Sequence, residues 1–314
     1  IKGSIVVNDR METSVPDIYA AGDAVQVKHY VTGEDTLLSL AGPANKQGRI
    51  IADHICGDDS RYPGSQGSSV IKVFDMTAAT TGINETNARR AGLQVDTVIL
   101  SPMSHAGYYP GGKVMTMKVV FEKATCRLLG AQIIGYEGVD KRIDVLATAI
   151  HAGMKATQLK DLDLAYAPPY SSAKDPVSMA GFMIDNITKE ILKQWHLEDM
   201  DAVLKEEGAV LLDVRTVQEY SRGHISGFIN IPLDELREHI HEIEKGKPVY
   251  LICQSGLRSY IASRILEGYG YETYNFSGGF RYYDAVVNDR ALIERAYACC
   301  LLYTSPSPRD GLLS

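Results

Sequence analysis

The sequence is short of several things, and each shortage removes a class of protein. Its 5 cysteines, at positions 56, 126, 253, 299 and 300, are odd in number and share no repeated spacing. They form neither a disulfide framework nor a metal-ligand pattern, so a reducing cytoplasm is the expected setting. No apolar run reaches the roughly 20 residues that a membrane-spanning helix needs, and the first residues show no basic stretch followed by an apolar one. Positive charge is in deficit: 32 Lys and Arg against 39 Asp and Glu leave a formal charge of −7. That balance speaks against a nucleic-acid or anionic-membrane partner. No G-x-G-x-x-G opens a helix anywhere, so the phosphate-binding turn of a dinucleotide fold is missing. An initiator methionine is missing too, and the chain opens inside what reads as a strand and hairpin. The length, 314 residues, is enough for about two domains with cores of their own.

What is present is most concentrated in residues 248–263, PVYLICQSGLRSYIAS. An apolar run ends at Cys253; Gln254, Ser255, Gly256, Leu257 and Arg258 form a loop; helical spacing begins at Ser259. A strand, a tight loop and a helix N-terminus in that order turn backbone N–H groups inward, and the helix dipole adds positive potential. An anion held there is stabilised, and a cysteine thiolate in that position is a nucleophile near neutral pH. The competing reading is a buried structural cysteine. Against it, Gly256 and Arg258 have no packing reason to stand at these offsets.

The surrounding residues carry a resemblance. VLLDVRTVQEYSRGHISGFINIPLDEL at 210–236, CQSGLRS at 253–259 and NFSGGF at 275–280 resemble a single-domain rhodanese, which carries sulfane sulfur as a cysteine persulfide. Four residues separate Cys253 from Arg258, the sulfurtransferase spacing; the related phosphatases have five. The resemblance implies a doubly wound parallel sheet over residues 195–292. It makes Cys253 the sulfur carrier, with the loop amides and Arg258 stabilising the charged sulfur and Gln254, Ser255, Gly256 and Leu257 lining the substrate. Asp213, Arg215 and His224 are read as scaffold that orders the loop.

Earlier in the chain, residues 13–23, TSVPDIYAAGD, read as a short buried strand over 18–21. It ends in a glycine that admits a ligand to the backbone and a carboxylate able to bind a sugar-like hydroxyl. A generic strand ending in a Gly-Asp turn is the other reading. LLSLAGPANKQGRIIADHI at 37–55 has helical spacing, with Pro43 suited to a first turn. GDDSRYPGSQGS reads as a linker. Then come strand-like VIKVFDM, a helix over 84–91, strand-like VDTVILSPM, the hairpin VMTMKVVF/RLLGAQIIG, a helix over 139–152 and a second helix continuing from Met179 to Trp195. This is an α+β domain on an antiparallel sheet. Tyr108 and Tyr109 in HAGYYPGG, and Tyr166 and Tyr170 in AYAPPYSSAKDPVSMAG, are by composition more often packing than chemistry.

These segments resemble the flavoprotein disulfide reductases, and the tyrosine-bearing ones resemble the coenzyme A disulfide reductases among them. The resemblance implies an FAD-binding remnant at 1–65 and a dimerisation domain at 66–188 that forms a homodimer. Gly22, Asp23, Ala41 and Pro168 then contact FAD, and Asn45 and Lys174 contact the coenzyme A substrate. Tyr108 and Tyr166 face the substrate sulfur, where a phenol can protonate a departing thiolate. The chain is accordingly identified as a C-terminal fragment of a coenzyme A disulfide reductase and rhodanese fusion. The intact parent would use FAD and NAD(P)H to reduce a coenzyme A disulfide, persulfide or polysulfide, its redox cysteine lying in absent sequence. Two alternatives stay open: a dimeric rhodanese without reductase activity, and a parent that is an NADH oxidase or peroxidase. Residues 300–314, dense in Ser and Pro, read as a non-native disordered tail.

Overall fold

The computed structural model describes the backbone of residues 1 and 3–303 and the side chains of 1 and 3–293. Two compact units result, Ile1–Ile191 and a second beginning at Leu192. The first unit opens with a three-stranded sheet: β1 (Ile5–Val6) runs parallel to β2 (Val25–Lys28), which pairs antiparallel with β3 (Asp35–Thr36). α1 (Ala41–Ile55) follows, with no side-chain cap from Leu40 and with Pro43 in its first turn, where a missing amide hydrogen breaks no helical bond. Residues 18–21, expected as a buried strand, make only the bridge Glu12↔Tyr19, and Ile18 is half exposed. Their partner is the short stretch 11–13, too little for a ladder.

The rest of the first unit is a five-stranded antiparallel sheet with helices. Its strands and helices are β4 (Ser69–Val73), β5 (Met76–Gly82), α2 (Glu85–Arg90), β6 (Val95–Leu100), β7 (Thr116–Glu122), β8 (Leu128–Gly135), α3 (Val139–His151) and α4 (Pro176–Thr188). The spatial order is β4-β5-β8-β7-β6. Val139, Ile143, Leu146 and Ile150 form the buried stripe of α3 that their spacing predicts, against Val119 and Ile133 of the sheet. β5 is absent from the sequence reading because MTAATTG is only weakly apolar; its alternation shows in Ala79 and Thr81, both buried. The helix expected to reach Trp195 ends at Thr188 instead. Glu190 takes a left-handed φ of 56°, and Trp195 leaves for a strand where it is buried between Phe228 and Phe276.

The second unit has a five-stranded parallel sheet ordered β11-β10-β12-β13-β9. Along the chain run β9 (Gln194–Trp195), α5 (Met200–Val203), β10 (Val210–Asp213), α6 (Val217–Ser221), β11 (Ile229–Asn230), α7 (Leu236–His239), β12 (Val249–Ile252), α8 (Leu257–Gly268), β13 (Thr273–Phe276) and α9 (Gly279–Tyr303). β12 reads as a continuous apolar run because both its faces are covered: Leu251 joins the cluster of Leu212, Ala262 and Leu266, whereas Ile252 joins that of Trp195 and Phe276. β10 lies between β11 and β12, so the order reverses there, and the loop after β12 opens at the crevice where doubly wound sheets bind ligands. α9 runs three residues past position 300 into the segment read as a tail; residues 304–314 lie outside the described residues. Among the described residues no helix is long and apolar enough to cross a membrane.

Candidate active site

Cys253, Gln254, Ser255 and Gly256 make the turn from β12 into α8. Gly256 has φ 94°, a left-handed conformation that lets its N–H point back at the thiol. Cys253 is fully buried, and its Sγ accepts from the Gly256 N–H at 3.1 Å and the Ser259 hydroxyl at 3.2 Å. Ser259 Oγ lies equally close, 3.2 Å, to the Gly256 carbonyl, so one proton has two acceptors. Gly256 carries no capping side chain; the first amides of α8 have no intrahelical acceptor, and the positive end of its dipole falls at this turn.

The start of α9 fixes the loop from outside. Phe280 N–H donates to Cys253 O at 2.8 Å and Arg281 N–H to Gln254 O at 3.1 Å. Gly279 makes this approach possible: a Cβ there would stand 2.7 Å from Ser255 N and Cα and 2.8 Å from Cys253 O. Asn275 Nδ2 holds the Gly256 carbonyl at 3.2 Å.

Two guanidinium groups flank the loop, and each has a carboxylate. Arg215 is buried, donates to Asp213 at 2.7–3.1 Å and lies 3.8 Å over the Phe280 ring. Its remaining donors reach Gly223 O and, at 3.4 Å, Gln254 Oε1. Arg258, expected to face the charged sulfur, is held in a fork by Glu219, with both bonds 2.7 Å. Glu219 is itself fixed by a capping box with Thr216 at the start of α6. The hydrogen bonds from Arg258 bring the Glu219 carboxyl down to about 2 and, reciprocally, raise Arg258. His224 stacks on Tyr220, ring centroids 4.0 Å apart, and Asn230 bonds the carbonyls of Asp213 and Arg215, both as scaffold.

In the first unit the Tyr108 and Tyr166 hydroxyls meet at 2.8 Å. Tyr108 is 77% exposed, so burial does not hold it there. The constraint comes from below. Arg142 on α3, 1% exposed, donates to Ser104 O (3.0 Å), Ser171 Oγ (3.1 Å) and Asp175 Oδ2 (3.0 Å), and Ala106 N–H donates to Ser171 O. These bonds tie the segment before Tyr108 to the segment after Tyr166. The hydrogen bond with Tyr108, in which the Tyr166 phenol keeps its proton, is the main cause that raises Tyr166 above its usual range, with burial second. A cavity of about 580 Å³ adjoins, lined by His105, Lys141, Tyr166 and Pro169 among others. Pro168 lies in the same turn, while Lys174 is exposed, 6.0 Å from the Phe182 ring centroid.

Gly22, at φ 73°, donates its N–H to Gln47 Oε1 at 2.7 Å; Gln47 is buried on α1, which locks the Gly22–Asp23 turn to that helix. Asp23 is exposed there, and Ala41 begins α1. Asn45 is exposed on an open cleft of about 870 Å³ shared with Lys46, Arg49, Tyr62, Asp144 and His151. An exposed carboxylate, the uncapped start of a 15-residue helix, and exposed Ile5 and Val6 on the adjoining strand fit the polyol and apolar parts of a flavin.

Sequence reasoning missed Arg142, Gln47 and Ser259. Arg142 carried a signal, an arginine three residues after Val139 and four before Leu146 on the apolar face of α3. Ser259 also carried one, at the third position of the helix behind the thiol. Gln47 carried none.

Residues 68–176 match the pyridine nucleotide-disulphide oxidoreductase, dimerisation domain, and residues 196–285 match the rhodanese-like domain. The chain therefore joins a dimerisation domain of the pyridine nucleotide-disulphide oxidoreductases to a rhodanese-like domain. It is 38% identical over 175 residues to the "NAD(P)H sulfur oxidoreductase (CoA-dependent)" of Pyrococcus abyssi, a stretch that is 56% of this chain and 39% of that protein. The solved structure of reduced Bacillus anthracis CoADR-RHD superposes with a TM-score of 0.89 at 46% identity, over 92% of this chain and 52% of that one. An NAD-dependent persulfide reductase from A. fulgidus superposes with a TM-score of 0.81 at 42% identity, over 88% and 50%. The chain thus spans about half the length of these solved relatives and less of the curated one.

Proposed function

We propose that Cys253 carries sulfane sulfur as a persulfide, and that in a protein of the relatives' length this activity serves the reduction of a coenzyme A disulfide, persulfide or polysulfide by FAD and NAD(P)H. The observation that carries the reading is the Cys253 sulfur itself, buried, at the positive end of α8, with one amide and one hydroxyl donating to it. Gln254, Ser255, Gly256 and Leu257 line the entering sulfur, and Arg258 orders the loop through Glu219.

For the reductase reaction, Tyr108 and Tyr166 are the phenols presented to a departing thiolate. The raised Tyr166 keeps its proton at neutral pH and has one to give. Gly22, Asp23, Ala41 and Pro168 would hold FAD, and Asn45 and Lys174 the coenzyme A substrate. Bound flavin would supply the electrons that split the sulfur–sulfur bond. Residues 66–188 form the homodimer contact in this reading, residues 1–65 belong to the FAD-binding domain, and 195–292 are the rhodanese domain.

The test is sulfur transfer by the purified chain from thiosulfate and from a persulfide, with mass spectrometry of the Cys253 peptide. An added sulfur atom on that peptide, and loss of transfer in Cys253→Ser by on the order of a thousandfold or more, are expected. Undiminished turnover in Cys253→Ser would sink the assignment.

A further inference from the structure

The one buried residue of α1 is polar: Gln47, 1% exposed. A helix normally buries an apolar stripe, and a buried amide costs stability unless it is hydrogen-bonded. The rear of α1 follows that rule, because Ile50 and Ile51 pack against Met11, Val25, Val27 and Tyr62. Residues 41–47 contribute nothing to that cluster, and the first turn has no side-chain cap. What ties this front half to the preceding turn is the bond from Gly22 N–H to Gln47 Oε1, at 2.7 Å. The approach is close: a Cβ on Gly22 would stand 3.7 Å from Ala44 Cβ. Gly22 makes the turn with its left-handed φ of 73°. Asp23, next in the chain, is exposed and has no side-chain partner among the described residues.

We infer that Gln47 is a positioning residue for FAD: it fixes how the Asp23 carboxylate stands to the N-terminus of α1, and through that spacing sets the affinity for the flavin and its reduction potential. The inference rests on the reading of residues 1–65 as FAD-binding. Gln47 lies six residues into α1 from Ala41, about 9 Å along the axis, so it acts through the two elements it joins and not by touching the flavin. Asp23 would hold a hydroxyl of the polyol chain, and α1 would present its positive end to the ring system. Two-electron reduction puts negative charge on that ring system, and a helix N-terminus stabilises an anion more than a neutral group. A front half of α1 cut loose from Gly22 therefore weakens binding of both redox forms, and of the reduced form more, which makes the potential more negative.

The experiment titrates FAD into the full chain, read by quenching of flavin fluorescence, and measures the midpoint potential of the bound flavin, in the wild type, in Gln47→Leu and in Gln47→Glu. Leucine fills similar space without the acceptor; glutamate keeps an acceptor of the same reach. Gln47→Leu is expected to bind FAD about tenfold more weakly, the equivalent of one lost hydrogen bond. Reduced FAD should lose about a further tenfold, which lowers a two-electron potential by about 30 mV. Gln47→Glu should bind within about threefold of the wild type. Far-ultraviolet circular dichroism in denaturant checks that the first unit folds; if Gln47→Leu does not fold, Gln47→Asn, one methylene short of Gly22, takes its place. An unmoved potential in the folded variant makes Gln47 merely structural and overturns the inference, as does a glutamate variant as weak as the leucine one; flavin bound by the wild type leaves the FAD reading standing in both cases. A wild-type chain that takes up no FAD overturns the inference and that reading together.

Discussion

The thiol loop and the tyrosine pair are held in the same way and finished differently. Beneath each lies a buried arginine–aspartate pair: Arg215–Asp213 at 2.7 Å under the loop, Arg142–Asp175 at 3.0 Å under the tyrosines. Each arginine spreads its donors over carbonyls of the segments it fixes. Yet Cys253 is sealed within its own unit, whereas Tyr108 stands 77% in solvent on a rim that its own unit does not cover. A buried pair therefore marks a backbone that must not move, and says nothing about whether the chemistry above it is complete. The thiol is closed over by its own unit; the tyrosine hydroxyls are fixed from below and left open above.

The largest effects should come from the pairs themselves. Removing one partner of a buried pair leaves an uncompensated charge, worth about 3–5 kcal/mol. Arg215→Ala and Arg142→Ala are each expected to lose that much, in different units. Trp195 is the sole tryptophan and lies in the second unit, so its fluorescence on denaturation reports that unit. The Trp195 transition should shift in Arg215→Ala and hold in Arg142→Ala, where far-ultraviolet circular dichroism shows the loss. A Trp195 transition that moved with Arg142 would break the comparison.

A smaller effect separates the two loops above the pairs. Gly279 has φ 70°, and a Cβ there would meet backbone atoms at 2.7–2.8 Å, which cannot yield as a side chain can. Gly111, beside the tyrosines, has φ 92° and nothing within 4 Å. Gly279→Ala should cost about 2–3 kcal/mol, strain plus overpacking, and block persulfide formation on Cys253. Gly111→Ala should cost only the backbone term, roughly 1 kcal/mol. Denaturation midpoints of the two variants decide whether the thiol loop is the tighter.

How much of this was legible in the sequence follows the distance over which each contact acts. The thiol loop spans six residues, and its strand, turn and helix could be read from Val249 to Ser263 because the three elements follow one another without a break. The α3 stripe was legible for the same reason. Tyr108 and Tyr166 stand 58 apart, and only a resemblance joined them. Glu219 lies 39 residues before Arg258, so the sequence showed an arginine poised at sulfur and a carboxylate of the same resemblance, and not that the two pair. β5 failed because threonine and alanine carry little apolar signal, and its place in the sheet is decided by β4 and β8 on either side. The end of α4 failed because Ile184, Ile187 and Ile191 keep helical spacing through a residue whose left-handed φ stops the helix.

The smallest expected effect tests the open half of the comparison. Tyr108 is largely exposed, so Tyr108→Phe should change stability by less than about 0.5 kcal/mol. What should change is titration. Tyr166 is raised chiefly by its hydrogen bond with Tyr108, so without it the phenol loses its proton at lower pH, back toward the ordinary tyrosine range. Ultraviolet difference titration of phenolate in Tyr108→Phe, against Tyr166→Phe to identify the signal, reads this directly. A Tyr166 titration that stays in place would mean that the two hydroxyls do not meet in solution, and that the buried Arg142 network fixes the segments without fixing the pair.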